Sequence, residues 1–274
     1  MKKNNYPKIG LALGSGGPKG LSHIGVIKVL EENGIFVDYI AGSSIGALIG
    51  GFYSATKDIS EIEEIALTTN WSFLFSLIDP SFHQGLVSGE KLKRFIEEYI
   101  DCVHFQDLLI PFSVVATDLK NGEAVFIDNG GVSIAIRASI SFPLVFKPVL
   151  YDDSLLADGG LSVPVPVKIL KKMGADIVIA VNLNSNNTFN LEKNNLNFYT
   201  IACNSLSIMG HQIANYNLEE ADIIISPKTG YLHWGNFVKC KKIIVAGEEA
   251  MKGQLLPLQR LLYDKNIMIR QNSS

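Results

Sequence analysis

Twice within the first fifty residues a short apolar run breaks into a glycine-rich turn and resumes with the spacing of a helix. Leu11-Ala12-Leu13 leads into Gly14-Ser15-Gly16-Gly17-Pro18-Lys19-Gly20, and the run 36–41 leads into Gly42-Ser43-Ser44-Ile45-Gly46. Strand–turn–helix units in succession demand a mainly parallel sheet, because parallel neighbours need a crossover and a helix is its usual form. If strands one and two are neighbours, both turns emerge at the same sheet edge.

The alternation continues along the chain. Strands are expected at 8–13, 36–41, 111–117, 123–127, 145–150, 155–157, 176–181 and 222–226. Helices are expected at 21–33, 45–55, 59–69, 89–100, 165–173, 198–217 and 241–262. The pattern predicts an α/β fold with a mainly parallel central sheet covered by helices. It fits a single domain over 1–274, with a core over about 8–182 and a helical and strand part over 198–262. Between them, 182–197 carries eight asparagines and reads as a surface linker.

Bulk properties exclude several classes. A net charge of −3 without a basic run gives no reason to expect nucleic acid. The three cysteines, Cys102, Cys203 and Cys240, have neither a disulfide pattern nor zinc spacing, and no other cluster has the spacing of metal ligands. No metal or cofactor is expected. The apolar core of the amino terminus, 9–13, is short of the roughly 7–15 residues of a secretory signal, so a cytoplasmic location is expected. The uncharged segment 39–56 repeats glycine every fourth residue, at Gly42, Gly46 and Gly50. It sits at the lower edge of the roughly 17–25 residues of a membrane span and is rich in Gly and Ser rather than Leu. A span is not expected.

The frame G-x-S-x-G puts Ser44, not Ser43, in the central place. A serine on a sharp strand-to-helix turn has its hydroxyl exposed in strained backbone, and flanking glycines let neighbouring chain close in. The free N–H groups of the following helix favour a developing negative charge. A packing turn is the competing reading. The earlier glycine-rich turn also has competing readings. As a dinucleotide fingerprint its last glycine arrives one residue late, although Asp38 lies near the distance of a ribose-binding acid. As a P-loop it fails, because Leu21 follows Gly20. As an oxyanion hole it supplies consecutive backbone N–H groups, and only this reading uses both turns together.

A base is then required. Asp158, followed by Gly159 and Gly160, stands at a strand end, and Asp38 and Asp118 are rival strand-end acids. Among the histidines, His23 sits on a helix and His83 and His104 lie in polar loops. His211 and His233 come late enough for a Ser…Asp…His order. Histidine-dependent esterase and nucleotide-binding module therefore stand as alternative readings.

Three blocks in order, SGGPKG, GSSIG and Asp158-Gly159-Gly160, resemble the patatin-like phospholipase family. ATDLKNGEAVF, RASISFPLVFKPV, GADIVIAVNL and the region around ADIIISP extend the similarity to nearly the whole chain. The resemblance implies a three-layer α/β/α fold and a Ser–Asp dyad without histidine. Ser44 would be the nucleophile attacking a lipid ester and Asp158 the proton acceptor. The N–H groups of Ser15, Gly16 and Gly17, joined by Ile45, would form the oxyanion hole. Lys19, Gly20, Gly42, Gly46, Gly159 and Gly160 would support these motifs. An acyl-enzyme would then be hydrolysed by water.

The chain departs from the family pattern at Ser15, where glycine is usual, at Lys19, where arginine is usual, and at Val163, where many members carry asparagine. Pro18 has no N–H and cannot be a donor. The aromatic run Trp71-Ser72-Phe73-Leu74-Phe75-Ser76-Leu77-Ile78, with Phe82 beyond, reads as a core helix. It could instead wall an acyl pocket or touch a bilayer surface, which would make the chain peripheral at a membrane. Arg137 reads as an anchor of the fold, the alternative being a partner for a carboxylate near the site.

Overall fold

The unbroken apolar run Ile9–Leu13 forms β1, buried at every residue, as a strand covered on both faces must be. The structure is a computed structural model that describes residues 6–68, 88–100, 104–185, 197–230 and 240–271. In it β1 pairs in parallel with β2 (Tyr39–Ser43) on one side and β7 (Ile177–Val181) on the other. β3 (Phe112–Asp118) continues the parallel set beyond β2, and β8 (Ile223–Ile225) continues it beyond β7. β4 (Ala124–Ile127), β5 (Val149–Tyr151) and β6 (Ser154–Asp158) are antiparallel additions, giving the order β5-β6-β3-β2-β1-β7-β8 with β4 also on β3.

Alternation along β1 sorts the layers. Ile9, Leu11 and Leu13 join a core cluster with α1 (Ser22–Glu32) and α2 (Ile45–Thr56). Ala12 joins a second cluster with Val178 and Ala180 of β7, Leu170 of α6 (Val167–Met173) and Ala214 of α7 (Phe198–Asn217). Helices thus cover both faces of the sheet, the three-layer arrangement that the resemblance implies.

Between these lie α3 (Ile59–Thr68), α4 (Glu90–Tyr99) and α5 (Val132–Ser139). The region expected as one closing helix is two, α8 (Cys240–Lys252) and α9 (Leu255–Gln271), interrupted at Gly253 and Gln254. α8 lies across α1, where Lys28 bridges Glu63 at 2.9 Å and Glu248 at 3.3 Å.

The glycine repeat at 42, 46 and 50 serves packing inside the protein. A Cβ at Gly46 would stand 2.1 Å from the Leu13 carbonyl oxygen, and one at Gly50 would stand 3.0 Å from the Phe112 ring and 3.1 Å from the Ile40 side chain, closer than ordinary van der Waals contact. The segment 39–56 is a buried strand followed by a helix, and no helix among the described residues is long and apolar enough to cross a membrane. The aromatic run 71–78, Phe82, His83, Cys102, His233 and most of the asparagine-rich segment lie outside the described residues.

Candidate active site

β2 and β6 run towards each other along β3. Ser43, the last residue of β2, stands opposite Val115, and Asp158, the last residue of β6, stands opposite Ala116. β2 is parallel to β3 and β6 antiparallel, so two chain ends from distant sequence meet at adjacent positions of one strand. The next residue after β2 is Ser44.

Ser44 has φ 55° and ψ −123°, strained for a residue with a Cβ, and it caps the amino terminus of α2. A serine in that place ordinarily accepts a hydrogen bond from the first turn of its helix. Here the hydroxyl makes no such bond and donates instead to Asp158 Oδ2 at 2.6 Å. The N–H groups at the start of α2 are left for another acceptor, with the positive end of the helix dipole behind them.

Asp158 is 3% exposed and Ser44 6%. The other carboxylate oxygen, Oδ1, accepts the Gly160 N–H at 2.7 Å. Burial pushes the Asp158 carboxyl up to about 6, and the hydrogen bonds from Ser44 and Gly160 only partly offset it. The Asp158 carbonyl accepts from Thr117 Oγ1 at 2.8 Å, and Thr117 also meets Ser162 Oγ at 2.8 Å. Gly159 lets this turn lie flat on β3, since a Cβ there would stand 2.2 Å from the Val115 carbonyl oxygen.

The first glycine-rich turn packs directly on the second. It forms a 3-10 turn over Gly17–Leu21, and a Cβ at Gly20 would fall 2.2 Å from the Ile45 side chain. Ser15 does not have the role expected of it. Its N–H donates to the Pro164 carbonyl at 2.8 Å and is therefore engaged, which removes it as an oxyanion donor. Gly16 and Gly17 remain, with φ of 165° and 55° respectively, and among the described residues neither N–H has an acceptor. The N–H of Ile45, first in α2, is in the same position. Lys19 is half-buried, and burial lowers its pKa.

The rival groups are placed elsewhere. Asp38 precedes β2 and binds the Lys8 ammonium and the Ile9 N–H, at the sheet edge opposite the glycine-rich turn. That position denies it a ribose role beside the turn. Asp118 accepts the Lys120 N–H at 2.9 Å and the Ser154 hydroxyl at 2.9 Å in the β3–β4 turn region. His211 Nδ1 lies 2.6 Å from the Asn184 carbonyl, and His104 caps a short 3-10 turn. His23 is fully buried, with Nε2 2.8 Å from the Gly14 carbonyl. No described histidine stands between Ser44 and Asp158. Arg137 makes no ion pair with a described carboxylate and instead binds Ser141 Oγ and the carbonyls of Ser88 and Lys147.

Sequence reasoning passed over several residues of this region: Ser139, whose hydroxyl accepts the Ser44 N–H at 2.8 Å, and Ser141 and Thr117. The polar pair in RASIS was the only local hint of Ser139, because its contact with Ser44 spans 95 residues.

Fold and site together define the class: a three-layer α/β/α protein with a serine on a strand-to-helix elbow, hydrogen-bonded directly to a buried aspartate. The family model described as patatin-like phospholipase matches residues 11–171, and the chain belongs to that family. It is 40% identical over 185 residues to an uncharacterized NTE family protein of Mycobacterium tuberculosis, covering 67% of this chain and 51% of that one. It is 32% identical over 183 residues to the lysophospholipase nte1 of Neurospora crassa, covering 65% of this chain and 12% of the fungal protein. The chain thus spans about half the length of the mycobacterial relative and a small part of the fungal one. Among solved structures, the type III effector protein ExoU superposes with a TM-score of 0.52 at 11% identity, covering 96% of this chain and 56% of that one. That likeness concerns the fold alone.

Proposed function

We propose that this chain is a serine acyl hydrolase of lipid esters, of phospholipase A or lysophospholipase type, acting through Ser44 and Asp158. The observation that carries the reading is the 2.6 Å hydrogen bond from Ser44 Oγ to Asp158 Oδ2 at the amino terminus of α2. The lipid class rests on family membership and on the lysophospholipase named among the relatives.

In this mechanism Asp158 accepts the hydroxyl proton as Ser44 Oγ attacks the ester carbonyl. The carbonyl oxygen, now negative, is held by the N–H groups of Gly16, Gly17 and Ile45. Collapse of the tetrahedral intermediate expels the alcohol, which takes the proton from Asp158 and leaves an acyl-enzyme. Water then attacks the acyl carbonyl with Asp158 again as base, and as the bond to Ser44 Oγ breaks Asp158 returns that proton to Ser44 and the fatty acid departs. A carboxylate is a weak base for a hydroxyl. Its raised pKa narrows the mismatch, while positioning and oxyanion donors supply most of the rest.

The test is active-site labelling beside turnover on a panel of defined phospholipids, lysophospholipids and neutral esters. A fluorophosphonate is expected to label wild type and not Ser44→Ala, and Asp158→Asn is expected to stay folded without turnover. His211→Ala is expected to keep most of the activity; its loss would favour the histidine-dependent alternative. Equal labelling of Ser44→Ala would sink the proposal.

A further inference from the structure

Resting on that hydrolase reading, we propose that Ser139 is a positioning residue that sets the Ser44–Asp158 geometry from the carboxyl-terminal turn of α5. Both members of the pair donate a backbone N–H to this one turn. The Ser44 N–H goes to Ser139 Oγ at 2.8 Å, and the Asp158 N–H goes to the Ser141 carbonyl at 3.0 Å. Residues 139–141 therefore hold two chain segments 114 residues apart in sequence at a common reference.

The turn is itself immobilised. Arg137, 2% exposed, donates Nη1 to Ser141 Oγ at 2.6 Å, and Ser141 Oγ donates back to the Arg137 carbonyl at 2.9 Å. The guanidinium also binds the carbonyls of Ser88 and Lys147 and lies 5.0 Å over the Phe146 ring. The Arg137 Nε faces Gly89, where a Cβ would stand 1.9 Å away. A planar cation with its donors fixed on three chain segments keeps the turn from sliding along the sheet.

Ser44 needs such a hold because its backbone is strained and α2 fixes only its carbonyl side, through Ala47 N–H at 2.8 Å and Leu48 N–H at 3.2 Å. Ser139 fixes the other side. With its N–H committed to Ser139, Ser44 has one orientation, and the hydroxyl points at Asp158 rather than back into the cap. Ser139 acts through Ser44 and reaches no substrate atom.

The experiment compares wild type, Ser139→Ala, Ser139→Thr and a control on the same helix away from the pair, Ser133→Ala, whose hydroxyl donates to Glu97. Because misplacement by about 1 Å can cost 10²-fold, Ser139→Ala is expected to lose about 10–100-fold in kcat and in fluorophosphonate labelling rate, with KM nearly unchanged. Ser139→Thr keeps the oxygen and is expected to recover most of the labelling, and Ser133→Ala to match wild type. The Ser44 amide is expected to exchange hydrogen at least tenfold faster in Ser139→Ala while α2 beyond Leu48 stays protected.

Wild-type kcat and labelling in Ser139→Ala overturn the proposal, as does a Thr variant as slow as the Ala variant. If wild type itself neither labels nor turns over any ester, the hydrolase reading fails on its own. Residue 44 exchange then decides the positioning claim: faster exchange in Ser139→Ala supports it, and unchanged exchange overturns it.

Discussion

Asp158 takes the Ser44 hydroxyl on one carboxylate oxygen and the Gly160 N–H on the other, while no described cation stands beside it. Burial prevails over the two hydrogen bonds, and the carboxyl titrates at about 6 instead of its ordinary 3.8. Only the ionised form can accept the Ser44 proton. The rate kcat/KM on an uncharged ester is therefore expected to rise with pH, bend near pH 6 and run flat above it. A profile already flat at pH 5 would contradict the assignment of Asp158 as base.

The same shift has a consequence for stability. A native pKa above the unfolded one means that the native state holds more protons between about pH 4 and 6. The buried charge therefore costs stability above pH 6, and the cost fades as pH falls towards 4. Asp158→Asn is expected to be inactive yet more stable than wild type at pH 8, by roughly 1–3 kcal/mol. Urea melts at pH 8 and pH 4 check this: the advantage must shrink at the lower pH.

His23 works in the opposite direction. Buried against the Gly14 carbonyl, it titrates at about 4 rather than 6.5. The unfolded chain then binds the extra proton first, so this residue lowers stability as pH falls from about 6.5 to 4. His23→Gln keeps a donor for Gly14 and cannot charge. Its stability relative to wild type is expected to improve across that window, by up to roughly 3 kcal/mol. Parallel curves for the two proteins would show that His23 is not held neutral.

At the elbow, Ser44→Gly and Ser44→Ala both remove the hydroxyl, but only glycine is at ease at φ 55° and ψ −123°. The glycine variant is expected to be the more stable by roughly 1 kcal/mol, the reverse of the usual ranking inside a helix. Differential scanning calorimetry of the two inactive proteins gives the sign directly.

Two glycines near the site are expected to behave oppositely. A Cβ at Gly159 would meet the Val115 carbonyl at 2.2 Å and Ser43 Oγ at 2.8 Å, and backbone cannot yield cheaply. Gly159→Ala should push the Asp158 turn off β3 and lose at least about 2 kcal/mol together with fluorophosphonate labelling. On α7, a Cβ at Gly210 approaches nothing among the described residues nearer than 3.8 Å, the Gly160 carbonyl. Gly210→Ala should keep activity and gain about 0.5–1 kcal/mol of helix propensity.

Much of the fold was legible because its cues are local. The run Ile9–Leu13 is continuously apolar, Ser44 stands between strand and helix signals, and α7 occupies the whole of the expected 198–217. Other segments misled where tertiary packing outweighs local preference. α5 was missed because Val132–Ser139 is short and rich in β-branched residues, yet it is held by Arg137 and by packing on β3. Of the run expected as a strand over 145–150, only its end joins a described ladder, as Val149–Tyr151, because the chain turns at 143–145, where the N–H groups of Val145 and Phe146 close on the Phe142 carbonyl and Phe146 lies under the Arg137 guanidinium. Ser15 passed as a donor on sequence because nothing local shows that Pro164 takes its N–H.

By itself the sequence determined the strand-to-helix turns, the serine that occupies the strained one and the apolar strands that bury it, all through interactions within a few residues. That Asp158, and not Asp38 or Asp118, meets the Ser44 hydroxyl is a matter of tertiary structure. It required an antiparallel β6 to meet the end of β2 on adjacent residues of β3, with Ser139 and Ser141 holding both ends. Those contacts close loops of about a hundred residues, a distance over which spacing in the chain carries no information about proximity in space.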